Sequence, residues 1–130
     1  MYMNRLNEYQ RTSVMMLLRE NEWTHAISFD ARDPTPGGLW LSITEGMERL
    51  KKKDPTIQYW VAASIGDRTE KAHYHGVIFS GLSNNVIEKA FKECNEPTLK
   101  PLYHAERWYD YVVKQSLVGT TITNLQENEQ

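Results

Sequence analysis

Two histidines, His73 and His75, stand one residue apart in "AHYHGVIF", a run whose other residues are typical of a buried strand. Because side chains alternate faces along a strand, both imidazoles point the same way, about 6 to 7 Å apart. If the polar "GDRTEK" closes a hairpin with the preceding strand, Ser64 lies opposite His73 and Ala62 opposite His75. Both are small, which predicts an open face around the imidazoles. The pair is either two hydrogen-bonded structural histidines or a metal site, since neutral imidazole is a common metal ligand.

A second group of reactive side chains lies near the end of the chain. Spacings of three, four and seven residues place five polar side chains on one stripe of a predicted helix: His104, Arg107, Tyr111, Lys114 and Gln115. A phenol beside cations and facing a two-histidine metal could attack a phosphodiester, with the lysine stabilising the charge that develops. Tyr109 lies about 200° from Tyr111 around the helix, so only one of them can face the histidines. Its apolar neighbours assign Tyr109 to packing.

The hydrophobic pattern predicts the elements that position these residues. They are a helix over 5–20, a strand over 23–29, a helix opened by a capping box of Ser42 and Glu45, a strand hairpin over 56–80, a helix over 84–94, a short edge strand or a bend near Pro101 and a helix over 104–115. From Trp23 the order is β-α-β-β-α-β and then a helix. This order predicts an α+β fold with a ferredoxin-like antiparallel sheet (split βαβ), an extra N-terminal helix and a C-terminal helix carrying the tyrosine. In such a sheet the histidine strand is central and pairs with the first strand.

Length and composition narrow the class of protein. The 130 residues predict a single domain over 1–116, with the sheet core over 23–116 and a polar, flexible tail over 117–130. A single cysteine excludes an intrachain disulfide framework and a Cys-rich zinc site. We expect a cytoplasmic protein without a membrane partner, because no signal peptide and no apolar run of spanning length is present. With a net charge of −2, any nucleic-acid binding must depend on a local basic patch, for instance around Lys52.

The motifs resemble those of a known family. "HYHGVIF" resembles the His-hydrophobic-His motif of HUH endonucleases, the replication initiator (Rep) nuclease domains of rolling-circle plasmids, phages and small viruses. "YVVK" resembles their Tyr-x-x-Lys motif, and "WTHAISF" their first-strand motif, so that the likeness covers 23–116 in the expected order. The resemblance implies a Mg²⁺ or Mn²⁺ ion on His73 and His75, with Tyr111 as nucleophile and Lys114 as its catalytic partner. It also implies nicking of single-stranded DNA through a 5′-phosphotyrosine link that leaves a 3′-hydroxyl.

The third metal ligand departs from the common pattern of these nucleases. They often take a carboxylate from the strand before the histidines, where this chain has Ser64 and Ala62. Single-tyrosine transposases of the same superfamily take a ligand four residues past the nucleophile, and Gln115 has that spacing. We therefore predict Gln115 as third ligand, with Ser64, His25 and His104 as alternatives.

The predicted partners follow from the same resemblance. Single-stranded DNA at a replication origin or terminus would contact Arg107, Lys52 and His25. The chain lacks the G-x-x-x-x-G-K-[ST] phosphate loop of a helicase, so a helicase and a polymerase would come from the host or the replicon. The apolar stripe of the N-terminal helix would either cap the sheet or form a homodimer contact.

Three other functions remain open on the sequence. One is a single-tyrosine HUH transposase, and another is a catalytically inactive relative of the nucleases. The third is a non-catalytic module that binds single-stranded nucleic acid by stacking bases on Tyr59, Trp60 and Tyr74.

Overall fold

The computed structural model describes residues 4–30, 36–65, 72–91, 94 and 97–125. These residues form an α+β fold with four helices and five strands. In chain order the elements are α1 (Glu8–Glu20), β1 (His25–Asp30), α2 (Pro36–Lys53), β2 (Gln58–Ile65), β3 (Ala72–Phe79), α3 (Asn84–Ala90), β4 (Thr98–Pro101), α4 (Ala105–Gln115) and β5 (Ile122–Asn124). No helix in the described ranges combines the length and the apolar character needed to cross a membrane.

The strands form one antiparallel sheet in the order β4-β1-β3-β2-β5. The histidine strand β3 is central and pairs with β1 on one side and β2 on the other, as predicted. The predicted hairpin register is also confirmed, because His73 pairs with Ser64 and His75 with Ala62. The "GDRTEK" turn lies outside the described residues. On the β1 side, His73 pairs with Asp30 and His75 with Ser28.

Helices cover both faces of the sheet. On one face, α2 and α3 pack against a core that includes Phe29, Val61 and Ile78. On the other, α1 and α4 pack against Trp60 and Val77, the face that also carries the histidines. Apolar side chains of β2 and β3 point to both faces of the sheet, so both faces must be covered by other elements.

Two helices begin elsewhere than the pattern predicted. Helix α1 begins at Glu8 because Asn7 and Gln10 form a reciprocal capping box. Helix α2 begins at Pro36, so the capping box predicted at Ser42 is wrong and Ser42 lies inside the helix. Proline is favoured in the first turn of a helix, where its missing N–H is not needed.

The segment after α4 was predicted to be a flexible tail, and for 117–125 this is wrong. Ser116 bridges to Ser64, the Leu117 amide donates to the Ala63 carbonyl at 2.9 Å, and β5 extends the sheet beyond β2. Leu117 and Ile122 are buried, so the segment completes the core. In "TTITN" a single isoleucine among threonines gives too weak an alternation to predict a strand. Residues 126–130 of the predicted tail lie outside the described part of the chain.

Candidate functional site

The histidine pair lies in the middle of the sheet with its rings nearly parallel. The ring centroids of His73 and His75 are 6.0 Å apart and the rings are inclined by 18°. Both side chains are half-buried. The strand backbone alone therefore places two imidazoles side by side on one face.

Strand β1 holds one nitrogen of each ring. His73 Nδ1 lies 2.6 Å from Asp30 Oδ1, and His75 Nδ1 lies 3.0 Å from Ser28 Oγ. Because an ionised carboxylate only accepts hydrogen bonds, His73 Nδ1–H must donate to Asp30, which leaves Nε2 with its lone pair in the neutral ring. With both Nδ1 atoms engaged by β1, the Nε2 atoms are the ones available to a ligand. This carboxylate–histidine contact is a common way of orienting a metal-binding imidazole.

The surroundings of His75 keep its ring neutral. Burial, and secondarily repulsion from a protonated His73, lower the pKa of His75 to about 4, while Asp30 opposes this shift. At neutral pH the ring is therefore uncharged. A neutral imidazole is the form that binds a cation.

Helix α4 covers the histidine face with two aromatic rings. The His75 ring centroid lies 5.5 Å from that of Tyr111 and 5.9 Å from that of Trp108. Trp108 and Tyr111 stack at 5.6 Å, and Trp108 Nε1 donates to the Gly76 carbonyl at 2.9 Å. The predicted open face is therefore wrong, because the space left by the small residues of β2 is taken by α4. Tyr111 is held against His75 but stays 47% exposed, so a substrate in solution can reach it.

Two other predicted site residues of α4, Lys114 and Gln115, make contacts elsewhere. Lys114 Nζ pairs with Asp110 Oδ2 at 2.9 Å, and both side chains are exposed. Gln115 Oε1 accepts a hydrogen bond from Arg5 Nη2 at 3.3 Å. Within the described residues, neither Lys114 nor Gln115 is hydrogen-bonded to Tyr111 or to the histidines. The structure thus brings Tyr111 to the histidine pair without the lysine and the amide.

The remaining predicted site residues divide between the two faces of the sheet. Ser64 is buried opposite His73, on the histidine face. His25 pairs with Ile78, and the alternation of side chains places His25 on the opposite face of the sheet. His25 is therefore excluded as third ligand of a metal held by His73 and His75. Lys52 is exposed on α2, which also packs on the opposite face. His104 and Arg107 lie on the histidine side, where both line a cleft beside β4.

Sequence reasoning missed Asp30 and Ser28. The carboxylate sought on the strand before the histidines comes instead from the strand on the other side of β3. Ser28 and Asp30 are two residues apart on β1 and lie opposite His75 and His73 on the antiparallel strand β3. Only the register between β1 and β3 reveals this pairing. Among the described residues, no group of three or more His, Cys, Asp or Glu side chains is arranged to hold a metal ion. The candidate nitrogen donors for a cation on this face are the imidazoles of His73 and His75.

The surface required by the non-catalytic alternative is not exposed. Tyr59, Trp60 and Tyr74 are each at most 4% accessible, and burial raises the pKa of Tyr74 to about 12. Bases cannot stack on these three rings without opening the core.

Comparisons with known proteins add no relative: no family model, no curated protein and no solved structure matches this chain. Its function must therefore be inferred from its own residues.

Proposed function

We propose that this protein is a metal-dependent endonuclease and strand transferase that nicks and rejoins single-stranded DNA through Tyr111, in the manner of HUH replication initiators. The observation that supports this most strongly is the placement of Tyr111, half exposed and 5.5 Å between ring centroids from His75. Tyr109, by comparison, is 6% exposed and packs into the core on this face. A nucleophile must instead be accessible and held next to the groups that activate it.

The fold supports the same proposal. We interpret β1 to β4, with α2 and α3 on one face, as a ferredoxin-like split βαβ sheet, since β1 and β3 are its central neighbours. Strand β5 extends the sheet at the β2 edge. Helices α1 and α4 are additions on the face that carries the histidines.

The donor set fits a divalent ion. The Nε2 atoms of His73 and His75 would hold Mn²⁺ or Mg²⁺, with Asp30 fixing the orientation of the first ring. A bound ion would polarise the phosphate and draw charge from its oxygens. Gln115 would serve as third ligand only if its oxygen is shared with, or released from, Arg5. Imidazole nitrogens suit Mn²⁺ better than Mg²⁺, which prefers oxygen ligands.

The reaction is a transesterification that conserves bond energy. The phenolic oxygen of Tyr111 forms a bond to phosphorus, and the bond from phosphorus to the 3′-oxygen breaks. The phenolic proton passes to water and the departing oxygen is protonated to a 3′-hydroxyl. The protein is then joined to the 5′-phosphate, and the reverse reaction rejoins the strand.

Lys114 would contribute after exchanging its partner. Its pair with Asp110 is exposed, and such surface pairs are worth about 0–1 kcal/mol. A phosphate beside Tyr111 can therefore compete for the ammonium at little cost.

With this activity the protein would act in the cytoplasm at an origin or terminus, with a helicase and polymerase supplied by the host or replicon. A transposase role uses the same chemistry and differs in the DNA that is recognised.

A covalent-adduct assay tests the proposal. Single-stranded oligonucleotides of random sequence, labelled at either end, are incubated with the protein and Mn²⁺ and then separated on a denaturing gel. We expect 3′-end label, and no 5′-end label, to migrate with the protein. EDTA should abolish the adduct, as should His73→Ala or His75→Ala in variants whose circular dichroism is unchanged. Absence of an adduct with the wild-type protein, or an adduct that His73→Ala and His75→Ala both retain, would reject the proposal.

A further inference from the structure

A cleft of about 380 Å³ opens beside the histidine face, between the edge strand β4 and the first turns of α4. Its floor is made by small side chains of β1, Ala26 and Ser28. Lys100 and Thr98 pair with these two residues in the sheet, so their side chains lie on the same face. The volume falls at the lower end of the range of roughly 300–1,000 Å³ typical of small-ligand sites.

The lining of this cleft combines aromatic rings with cations. Trp108 lies along one wall, and Tyr103, in the β4–α4 connection, is 83% exposed at the rim. Lys100 and Arg107 are exposed and form no ion pair with any other residue in the described ranges. By contrast, Arg19 on α1 is paired with Glu106 at 2.9 Å. No Asp or Glu is among the described residues that line the cleft.

The cleft adjoins the proposed reaction site, because two of its lining residues contact that site. Ser28 contributes to its floor and also contacts His75 Nδ1 at 3.0 Å. Trp108 lines the cleft and also stacks on Tyr111, with ring centroids 5.6 Å apart. A ligand in the cleft would therefore sit one side chain away from the nucleophile.

We propose that this cleft binds one unpaired nucleotide adjacent to the phosphate that reacts, a proposal that rests on the proposed function for its substrate, single-stranded nucleic acid. The base lies between Trp108 and Tyr103, and Lys100 and Arg107 bind the flanking phosphates. Exposed aromatics beside unpaired cations are the means by which proteins bind single strands without reading sequence. A duplex does not fit this arrangement, because its base faces are already stacked. The cleft is a local basic site on a chain with a net charge of −2, which favours an anionic ligand over a neutral one, and the exposed aromatic ring of Tyr103 favours a nucleotide among the anions.

Fluorescence anisotropy with a labelled oligothymidylate in EDTA tests the cleft without cleavage. We expect Tyr103→Ala to weaken binding about five- to 160-fold, the equivalent of the 1–3 kcal/mol typical of one base–aromatic stack. The matched control is Tyr9→Ala, because Tyr9 is 81% exposed on α1 away from the cleft. That variant should bind like the wild type.

The salt dependence separates the cations from the aromatic ring. Each phosphate contact contributes about 0.7 to the slope of log K against log salt for a single strand. We expect Lys100→Ala and Arg107→Ala each to reduce the slope by about 0.7, whereas Tyr103→Ala leaves it unchanged. Lys89→Ala, on α3 across the sheet, is the control and should change neither affinity nor slope.

The outcomes distinguish this proposal from the proposed function. If the cleft variants weaken binding but the wild type forms no adduct with Mn²⁺, the cleft stands and the catalytic proposal falls. If the adduct forms while the cleft variants bind like the wild type, the cleft proposal is overturned and the catalytic one stands. Failure of the wild type to bind the oligothymidylate, or equal binding of a duplex, also overturns the cleft proposal.

Discussion

Removing the carboxylate of Asp30 should weaken metal binding without removing a predicted ligand. Asp30 Oδ1 lies 2.6 Å from His73 Nδ1, so it fixes the tautomer and increases the basicity of Nε2. Loss of such a partner typically lowers metal affinity about 10- to 100-fold, or about 1.4–2.7 kcal/mol. Asp30 is 65% exposed, so water screens its charge. We therefore expect Asp30→Asn, which keeps an acceptor, near the tenfold end, and Asp30→Ala to lose more.

Isothermal titration of Mn²⁺ into each variant at neutral pH measures this directly. Glu88→Gln on α3 is the control, because it removes one negative charge from the opposite face of the sheet. We expect its Mn²⁺ affinity to equal that of the wild type. Wild-type affinity in Asp30→Ala would refute the role of the carboxylate. An equal loss in Glu88→Gln would show that only net charge matters.

Two further predictions concern stability. A Cβ on Gly76 would overlap backbone atoms of β2, so Gly76→Ala should destabilise the protein by about 1–3 kcal/mol or more in urea unfolding, whereas Gly81→Ala, where a Cβ meets nothing within 4 Å, should have little effect. Equal unfolding midpoints for the two variants would contradict this. Hydrogen bonds from Thr56 and then Ser80 lower the pKa of Asp54. The Asp54 carboxylate therefore stabilises the fold above the ordinary carboxyl pKa near 4, and this stabilisation is lost as pH falls through the folded-state pKa. Asp54→Asn should cost about 1 kcal/mol at neutral pH and progressively less in acid, and a pH-independent difference would exclude this linkage.

The geometry of the histidine pair could be predicted from local sequence. Alternation along one strand and a short polar turn were enough to place Ser64 and Ala62 opposite the imidazoles, as the register confirms. Pro101 likewise indicated an edge strand, because proline cannot donate to a sheet, and β4 is at the edge.

The contacts that complete the site depend on distant segments and could not be predicted. Asp30 reaches His73 across 43 residues of sequence, and its pairing depends on the exact offset of β1 against β3. The position of α4 follows from packing Tyr109, Val112 and Val113 onto the sheet, which also brings Tyr111 to His75. Helical spacing correctly separated Tyr109 from Tyr111, but it could not show that Lys114 turns to a partner on its own helix.

The central claim is that Tyr111 is the nucleophile, and peptide mapping of the trapped adduct tests it most directly. Tyr109 is buried, and burial, with Glu106 as a second cause, raises its pKa, so its phenolate is disfavoured. We expect mass spectrometry to find the nucleotide on Tyr111, Tyr111→Phe to form no adduct while still binding Mn²⁺ and single-stranded DNA, and Tyr109→Phe to retain the adduct. A nucleotide on Tyr109, or an undiminished adduct in Tyr111→Phe, would contradict the account.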